Sequence, residues 1–126
     1  MFYKTIFRGV VFLILALTFS PLIGCKKAEA PAPATPAQAQ TAIQDAFKQA
    51  NPDLKAAADE TAAAIEHEPT KALGQLQAIS ANVDLTSEQR RAAEQSMFLL
   101  LKNIREAASR GDANAEKALE AYQATK

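Results

Sequence analysis

Few side chains in this sequence are suited to catalysis or metal binding. The 126 residues include one cysteine, Cys25, and one histidine, His67, which stands between Glu66 and Glu68. Neighbouring residues of one helical turn point in different directions, so these three side chains do not converge on a metal ion. The serines have no histidine near them in a recognisable catalytic arrangement. We therefore predict a non-enzymatic protein with no catalytic residue, no cofactor site and no metal site.

The residues before Cys25 have the layout of a secretory signal. Lys4 and Arg8 give residues 1–8 a positive charge, and residues 9–20 form a mostly apolar run without a charged side chain. A helix that spans a membrane needs about 20 apolar residues. The segment from Gly9 to Gly24 has fewer residues than such a helix needs, and Pro21 would break its last turn. Residues 1–24 are thus predicted to be a signal peptide and not a retained transmembrane helix.

Cys25 ends a four-residue motif, Leu22-Ile23-Gly24-Cys25. This motif resembles the lipobox of bacterial lipoproteins, and the resemblance covers about the first fifth of the chain. It implies that a diacylglyceryl group is joined to the Cys25 thiol and that signal peptidase II cuts between Gly24 and Cys25. The new N-terminus is then often acylated on its amine, for example with palmitate. Two or three acyl chains hold a protein durably at a bilayer.

The residue after the cysteine bears on the choice of membrane. In Gram-negative lipoproteins an Asp there commonly retains the protein in the inner membrane, whereas other residues usually allow export. Lys26 occupies this position. The resemblance therefore implies the outer membrane, facing the periplasm, if the organism is Gram-negative. Inner and outer membrane both stay open.

The charge balance gives no reason to expect nucleic-acid binding. The chain has 14 basic and 14 acidic residues, and loss of residues 1–24 removes only Lys4 and Arg8 from this set. The remaining chain is slightly acidic, whereas binding to phosphates requires a basic surface. The predicted partners are the membrane, through lipid on Cys25, and an envelope protein or a second copy of the chain.

Residues 25–40 are predicted to be the lipidated N-terminus and a disordered linker. Alanine and proline dominate this segment, and no large apolar side chain follows Cys25 within it. Such sequences favour extended polyproline II, which rises about 3.1 Å per residue, so the linker would hold a domain some 30 to 45 Å from the bilayer.

Residues 41–126 are predicted to form an all-α domain, a small antiparallel bundle of four or five helices. Cap and breaker residues divide the helices. The expected helices run from Thr41 to Ala50, from Pro52 after the cap Asn51, from Pro69, from the capping box Thr86-Ser87-Glu88-Gln89 to about Ser109, and from the cap Asp112 after Gly111.

Each predicted helix has an apolar face at helical spacing. The fourth face is the most apolar, so this helix is expected to lie at the centre of the bundle. Its run from Met97 to Leu101 is wider than one stripe needs. Either part of it, Phe98 or Leu99, faces a partner, or this helix is buried on two sides. The predicted faces are Ile43 and Phe47; Leu54, Ala58, Thr61 and Ile65; Leu73, Leu76, Ile79 and Val83; Ala93, Met97, Leu100, Leu101, Ile104 and Ala108; and Ala115, Leu119 and Tyr122.

Three functions are compatible with these features. The first is a lipid-anchored structural or protein-interaction module of the cell envelope. The second is a carrier of small apolar or lipidic ligands, with the Met97 to Leu101 region lining a pocket between helices. The third follows from a weak likeness to the murein lipoprotein, whose terminal lysine is joined to peptidoglycan as Lys126 would be. That family is a continuous coiled coil, whereas Pro52, Pro69 and Gly111 interrupt this chain.

Overall fold

The computed structural model describes residues 30–126, and five α-helices make up most of this range. They are α1 (Pro36–Phe47), α2 (Pro52–His67), α3 (Pro69–Ser80), α4 (Ser87–Ser109) and α5 (Ala113–Ala124). No β-strand occurs among the described residues. The predicted all-α bundle is confirmed for them. The predicted signal peptide, the cleavage site between Gly24 and Cys25, and the lipidation site at Cys25 lie outside the described range.

Helix α1 begins earlier than the predicted boundary at Thr41. Thr35 caps this helix, and its Oγ1 accepts a hydrogen bond from the Gln38 amide at 3.3 Å. The Gln38 side chain in turn accepts a hydrogen bond from the Ala34 amide at 2.8 Å. Ala39, one turn before Ile43, is fully buried. The linker predicted for residues 25–40 therefore gives way to helix at Pro36, and residues 36–40 belong to the bundle.

The predicted caps of α2 and α4 are confirmed. The Asn51 side chain accepts a hydrogen bond from the Leu54 amide at 2.9 Å, and Pro52 occupies the first position of α2. At α4, Thr86 and Gln89 form the reciprocal capping box with distances of 3.2 and 3.0 Å. Each cap satisfies amides that have no partner inside the helix.

The turn between α4 and α5 also follows the prediction. Gly111 has a φ of +87°, the left-handed conformation that favours glycine. The Asp112 carboxylate then accepts hydrogen bonds from the amides of Asn114 and Ala115 at 2.9 and 3.1 Å. This pair of residues ends one helix and starts the next within two positions.

Helix α4 occupies the centre of the bundle, as predicted. It packs against α1, α3 and α5, while α2 packs against α1 and α3. The first hydrophobic cluster lies among α1 to α4. Its largest fully buried apolar side chains are Ile43, Phe47, Ile65, Leu76 and Leu100.

A second, smaller cluster attaches α5 to α3 and α4. Leu73, Leu101 and Ile104 are its large buried side chains, and α5 contributes only Ala115 and Ala118 as buried residues. Leu119 and Tyr122 of α5 pack against it while partly exposed. The described residues thus form one larger core and one smaller cluster, in which α5 buries only alanine side chains.

The prediction for Val83 was wrong. It was assigned to the apolar face of the third helix, but α3 ends at Ser80 and Val83 is 86% exposed. The Asn82 side chain accepts a hydrogen bond from the Asp84 amide at 2.9 Å, which favours a turn over a further helical turn. Leu85, after that turn, enters the core instead.

Candidate interaction surface

The apolar run from Met97 to Leu101 divides between core and surface. Leu99, Leu100 and Leu101 are all buried, and Met97 is partly buried against both clusters. Phe98 is 70% exposed. Helix α4 is thus buried on several sides by its three neighbouring helices, while the Phe98 direction stays open. That a partner covers Phe98 stays a prediction.

Phe98 lies beside the chain segment that leads into α1. A shallow groove of about 360 Å³ is lined on one side by Ala32, Pro33 and Ala34 and on the other by Phe98 and Leu99. The hydrogen bond from the Ala34 amide to the Gln38 side chain holds the end of this segment to α1. The path of the chain into the bundle thus passes the exposed ring.

Charged side chains flank Phe98 along the outer side of α4. Glu94 lies one turn before it and Lys102 one turn after it, and both line the same groove. Arg105, two turns after Phe98, is also exposed. Within residues 30–126, neither Lys102 nor Arg105 takes part in an ion pair. We call the set of Ala32–Ala34, Phe98, Lys102 and Arg105 the Phe98 surface.

A larger groove of about 800 Å³ lies where the start of α3, the end of α4 and α5 meet. Its apolar lining includes Ile104, Ala107, Ala115 and Ala118, and its polar lining includes His67, Glu68, Lys71, Asn103, Asp112, Asn114 and Lys117. This groove and the one beside Phe98 open to solvent. His67 thus lies beside a groove that sequence reasoning did not foresee.

Other chemistry-bearing residues are spread over the bundle. Within residues 30–126, no three His, Cys, Asp or Glu side chains are placed to hold one metal ion. Asp59, half of the acidic pair Asp59-Glu60, pairs with Lys55, and the Glu60 carboxylate lies 3.2 Å from the Lys71 ammonium. The ammonium group of Lys126 lies 5.2 Å from the centroid of the Tyr122 ring. None of the described helices combines the length and hydrophobicity needed to cross a bilayer.

Comparison with known proteins adds no relative: the chain matches no family model, no curated protein and no solved structure.

The sequence pattern indicated Phe98 as one of two candidates for an outward-facing apolar side chain. It did not indicate that the segment Ala32–Ala34 lies beside this ring. The signal for that contact was present in the sequence. Thr35-Pro36-Ala37-Gln38 has the residue types of a capping box with proline at the first helical position. A helix that starts at Pro36 brings the preceding residues against the bundle.

Proposed function

We propose that this protein is a lipid-anchored lipoprotein of the bacterial cell envelope, with a non-enzymatic helical bundle that serves as a structural or protein-interaction module facing the periplasm. The observation that carries the proposal is the motif Leu22-Ile23-Gly24-Cys25, which directly follows a basic and then an apolar segment. The Cys25 thiol is the nucleophile that receives the diacylglyceryl group. Lys26 after it favours the outer membrane in a Gram-negative organism.

The position of the core is compatible with cleavage before Cys25. Among residues 30–126, every buried side chain lies between Ala39 and Ala118. A mature chain that starts at Cys25 therefore keeps this entire core. Cys25 is the single cysteine of the sequence, so it forms no disulfide bond within the bundle and its thiol is available for lipid.

The tether between anchor and bundle is shorter than residues 25–40 suggested. Because Thr35 caps α1, only ten peptide steps separate it from Cys25. At about 3.1 Å per residue, an extended chain of this length spans roughly 30 Å. The bundle would therefore lie within roughly 30 Å of the membrane that holds the lipid.

Intact-mass measurement of the protein extracted from membranes tests the anchor. We expect a chain that begins at Cys25 and carries the added mass of a diacylglyceryl group and an acyl chain. Cys25→Ser is expected to lose both additions and to be released or misprocessed, whereas the neighbouring control Lys27→Ser is expected to keep them. A native chain that begins elsewhere with a free thiol would contradict the proposal.

The interaction role has its own test. Cross-linking in intact envelopes, followed by purification of the lipidated chain, is expected to yield one protein partner in stoichiometric amount. The same procedure with Cys25→Ser is expected to yield much less of that partner, because the bundle is no longer held at the membrane. Repeated absence of any partner with a fully lipidated sample would count against this role.

A carrier of small apolar or lipidic ligands is a second candidate, and the larger groove supports it at a place other than the predicted one, because no residue of the Met97 to Leu101 region lines this groove. Its volume of about 800 Å³ lies in the range of small-molecule sites, and part of its lining is apolar. Titration with a fluorescent fatty acid tests this function. Ala121→Trp, on the exposed rim of the groove, is expected to weaken binding roughly tenfold if the ligand lies there, whereas Ala63→Trp on the outside of α2 is expected to have no effect.

A further inference from the structure

We propose that the Phe98 surface rests on the bilayer that holds the lipid of Cys25. The Phe98 ring lies at the boundary of headgroups and acyl chains, and Lys102 and Arg105 lie at lipid phosphates. This inference rests on the proposed lipidation of Cys25. It adds an orientation of the bundle that the anchor alone does not set.

The covalent reach of the tether keeps the Phe98 surface near the lipid of Cys25. Seven peptide steps join Cys25 to Ala32, and an extended chain spans at most about 3.6 Å per residue, or roughly 25 Å in this case. Ala32 lines the same groove as Phe98. A lipid on Cys25 therefore keeps Ala32, and with it the Phe98 surface, within roughly 25 Å of the membrane.

The side chains of the Phe98 surface have the chemistry that a bilayer boundary requires. Phe98 and Val83 are the exposed large hydrophobic side chains of residues 30–126, and Phe98 is the one beside the tether. Aromatic rings and the ends of basic side chains are suited to the boundary between acyl chains and phosphates. Lys102 and Arg105 lie on the same side of α4 as Phe98, and Glu94 is the acidic residue on its other flank.

A bilayer fits this surface better than a second copy of the chain. Stable protein interfaces bury about 800 Å² on each partner, with several anchor side chains. The Phe98 surface offers one exposed aromatic ring. For a bundle already tethered nearby, the local concentration of lipid is high, which favours even the weak contact that a single ring and two cations make.

Tryptophan fluorescence tests the contact, because the sequence contains no tryptophan. Phe98→Trp in the full lipidated chain is incorporated into vesicles of phosphatidylethanolamine and phosphatidylglycerol, with or without bromine on the acyl chains. An aromatic ring inserted at the boundary lies within reach of the bromines, so we expect roughly twofold or stronger quenching together with a blue-shifted emission. Because Phe98 is 70% exposed, the exchange of one ring for the other leaves the core intact.

Val83→Trp is the matched control. Val83 is 86% exposed and lies in the turn before α4, and the start of α4 at Ser87 is about 16 Å from Phe98 along the helix axis. We expect its emission to be the same with and without bromine. Equal quenching at the two positions would overturn the proposal, since it would show no preferred face.

Charge reversal sharpens the test. In the Phe98→Trp chain, the double change Lys102→Glu with Arg105→Glu is expected to reduce quenching toward the level of the Val83 control. The matched change Arg110→Glu with Lys117→Glu, at exposed positions elsewhere, is expected to leave quenching unchanged. If both double variants behave alike, the cations of the Phe98 surface have no part in the contact.

Mass measurement on the same vesicles separates the two proposals. If Cys25 carries lipid and tryptophan at position 98 is not quenched, the membrane-facing surface is wrong and the lipoprotein proposal stands. If Cys25 carries no lipid, both proposals fail together. A blue shift without bromine quenching, found also in Cys25→Ser in solution, would assign the surface to self-association and overturn the proposal.

Discussion

The two hydrophobic clusters of the bundle differ in the side chains that the first and the last helix contribute, since α1 buries Ile43 and Phe47 whereas α5 buries only alanines. The first cluster, among α1 to α4, buries large residues completely, including Phe47, Leu76 and Leu100. In the second, α5 contributes only Ala115 and Ala118 as buried residues. Hydrophobic stabilisation is proportional to the apolar area removed from water, at about 25 cal/mol per Å², so an alanine contact contributes little. The bundle therefore combines a firm core with a loosely attached last helix.

The length of α5 adds to this difference. It has 12 residues, and isolated helices of about this length are marginal in water, so α5 depends on its packing. Its contacts are those of the second cluster, mainly with α4 and to a small extent with α3. We infer that α5 opens locally at a free energy well below that of global unfolding. The larger groove, lined by α5 residues, would open with it.

The largest expected effect separates a core phenylalanine from a surface one. Phe47→Ala is expected to lower the free energy of unfolding by about 3–5 kcal/mol, because it leaves a cavity in the first cluster. Phe98→Ala, the same change at a 70% exposed position, is expected to alter it by less than about 0.5 kcal/mol. Urea unfolding followed by circular dichroism measures both. A loss in Phe98→Ala as large as that in Phe47→Ala would contradict the open side of α4.

A second pair compares the clusters through one helix. Leu76 and Leu73 lie on α3, one in each cluster, and are 0% and 3% exposed. Leu76→Ala is expected to cost about 2–5 kcal/mol of global stability. Leu73→Ala is expected to cost less globally and to speed amide hydrogen exchange mainly in α5. Exchange measured by mass spectrometry distinguishes the two, and equal exchange in α5 for both variants would show that the clusters are not separate.

Most of the fold was predictable because residues close in sequence determine where its helices begin and end. Asn51-Pro52, the capping box from Thr86 to Gln89, and Gly111-Asp112 each satisfy backbone groups within a few residues of themselves. Their geometry does not depend on distant parts of the chain. The centrality of α4 also followed, since a helix with an apolar surface wider than one stripe must contact several neighbours.

The two errors arose where two local signals competed. Around Pro36, alternating alanine and proline favoured an extended linker, while the cap Thr35 favoured helix. The structure has the helix, with the Thr35 cap formed and with Ala39 buried in a tertiary contact that composition does not report. At Val83, apolar spacing favoured a longer α3, but the side chain of Asn82 bonds to the backbone and forms a turn.

The candidate surface was only partly predictable. Spacing placed Phe98 and Leu99 at the edge of the apolar face of α4, but neighbouring positions on a helix differ by about 100° in direction. Which of them is buried depends on where the other helices pack. The larger groove was missed altogether, because it arises from the limited contact between α5 and α3 and has no sequence motif.

The helix caps provide a smaller test of the same contrast. Thr86→Ala removes the capping box of α4, which contributes to both clusters, and is expected to lower global stability by about 1 kcal/mol. Asp112→Ala removes the two hydrogen bonds that start α5. Loss of this cap costs about 1 kcal/mol, and about 1.4 kcal/mol corresponds to a factor of ten, so exchange in α5 is expected to be roughly fivefold faster, with less effect on global unfolding. Faster exchange throughout the bundle in Asp112→Ala would tie α5 to the first cluster.

The two glycines of the bundle predict effects of opposite sign. Gly111 has a φ of +87° in the turn that leads to α5, so Gly111→Ala places a side chain in the left-handed conformation and costs about 1 kcal/mol. Gly74 lies inside α3, where an added Cβ meets no heavy atom within 4 Å. Gly74→Ala is therefore expected to raise the free energy of unfolding by about 0.5–1 kcal/mol.

Thermal unfolding combined with hydrogen exchange measures both effects. Gly111→Ala is expected to speed exchange mainly in α5, while Gly74→Ala is expected to slow exchange in α3 and to raise the melting temperature. Stabilisation by both substitutions would mean that the turn before α5 relaxes without cost, and that the looseness of this helix comes from its alanine contacts alone.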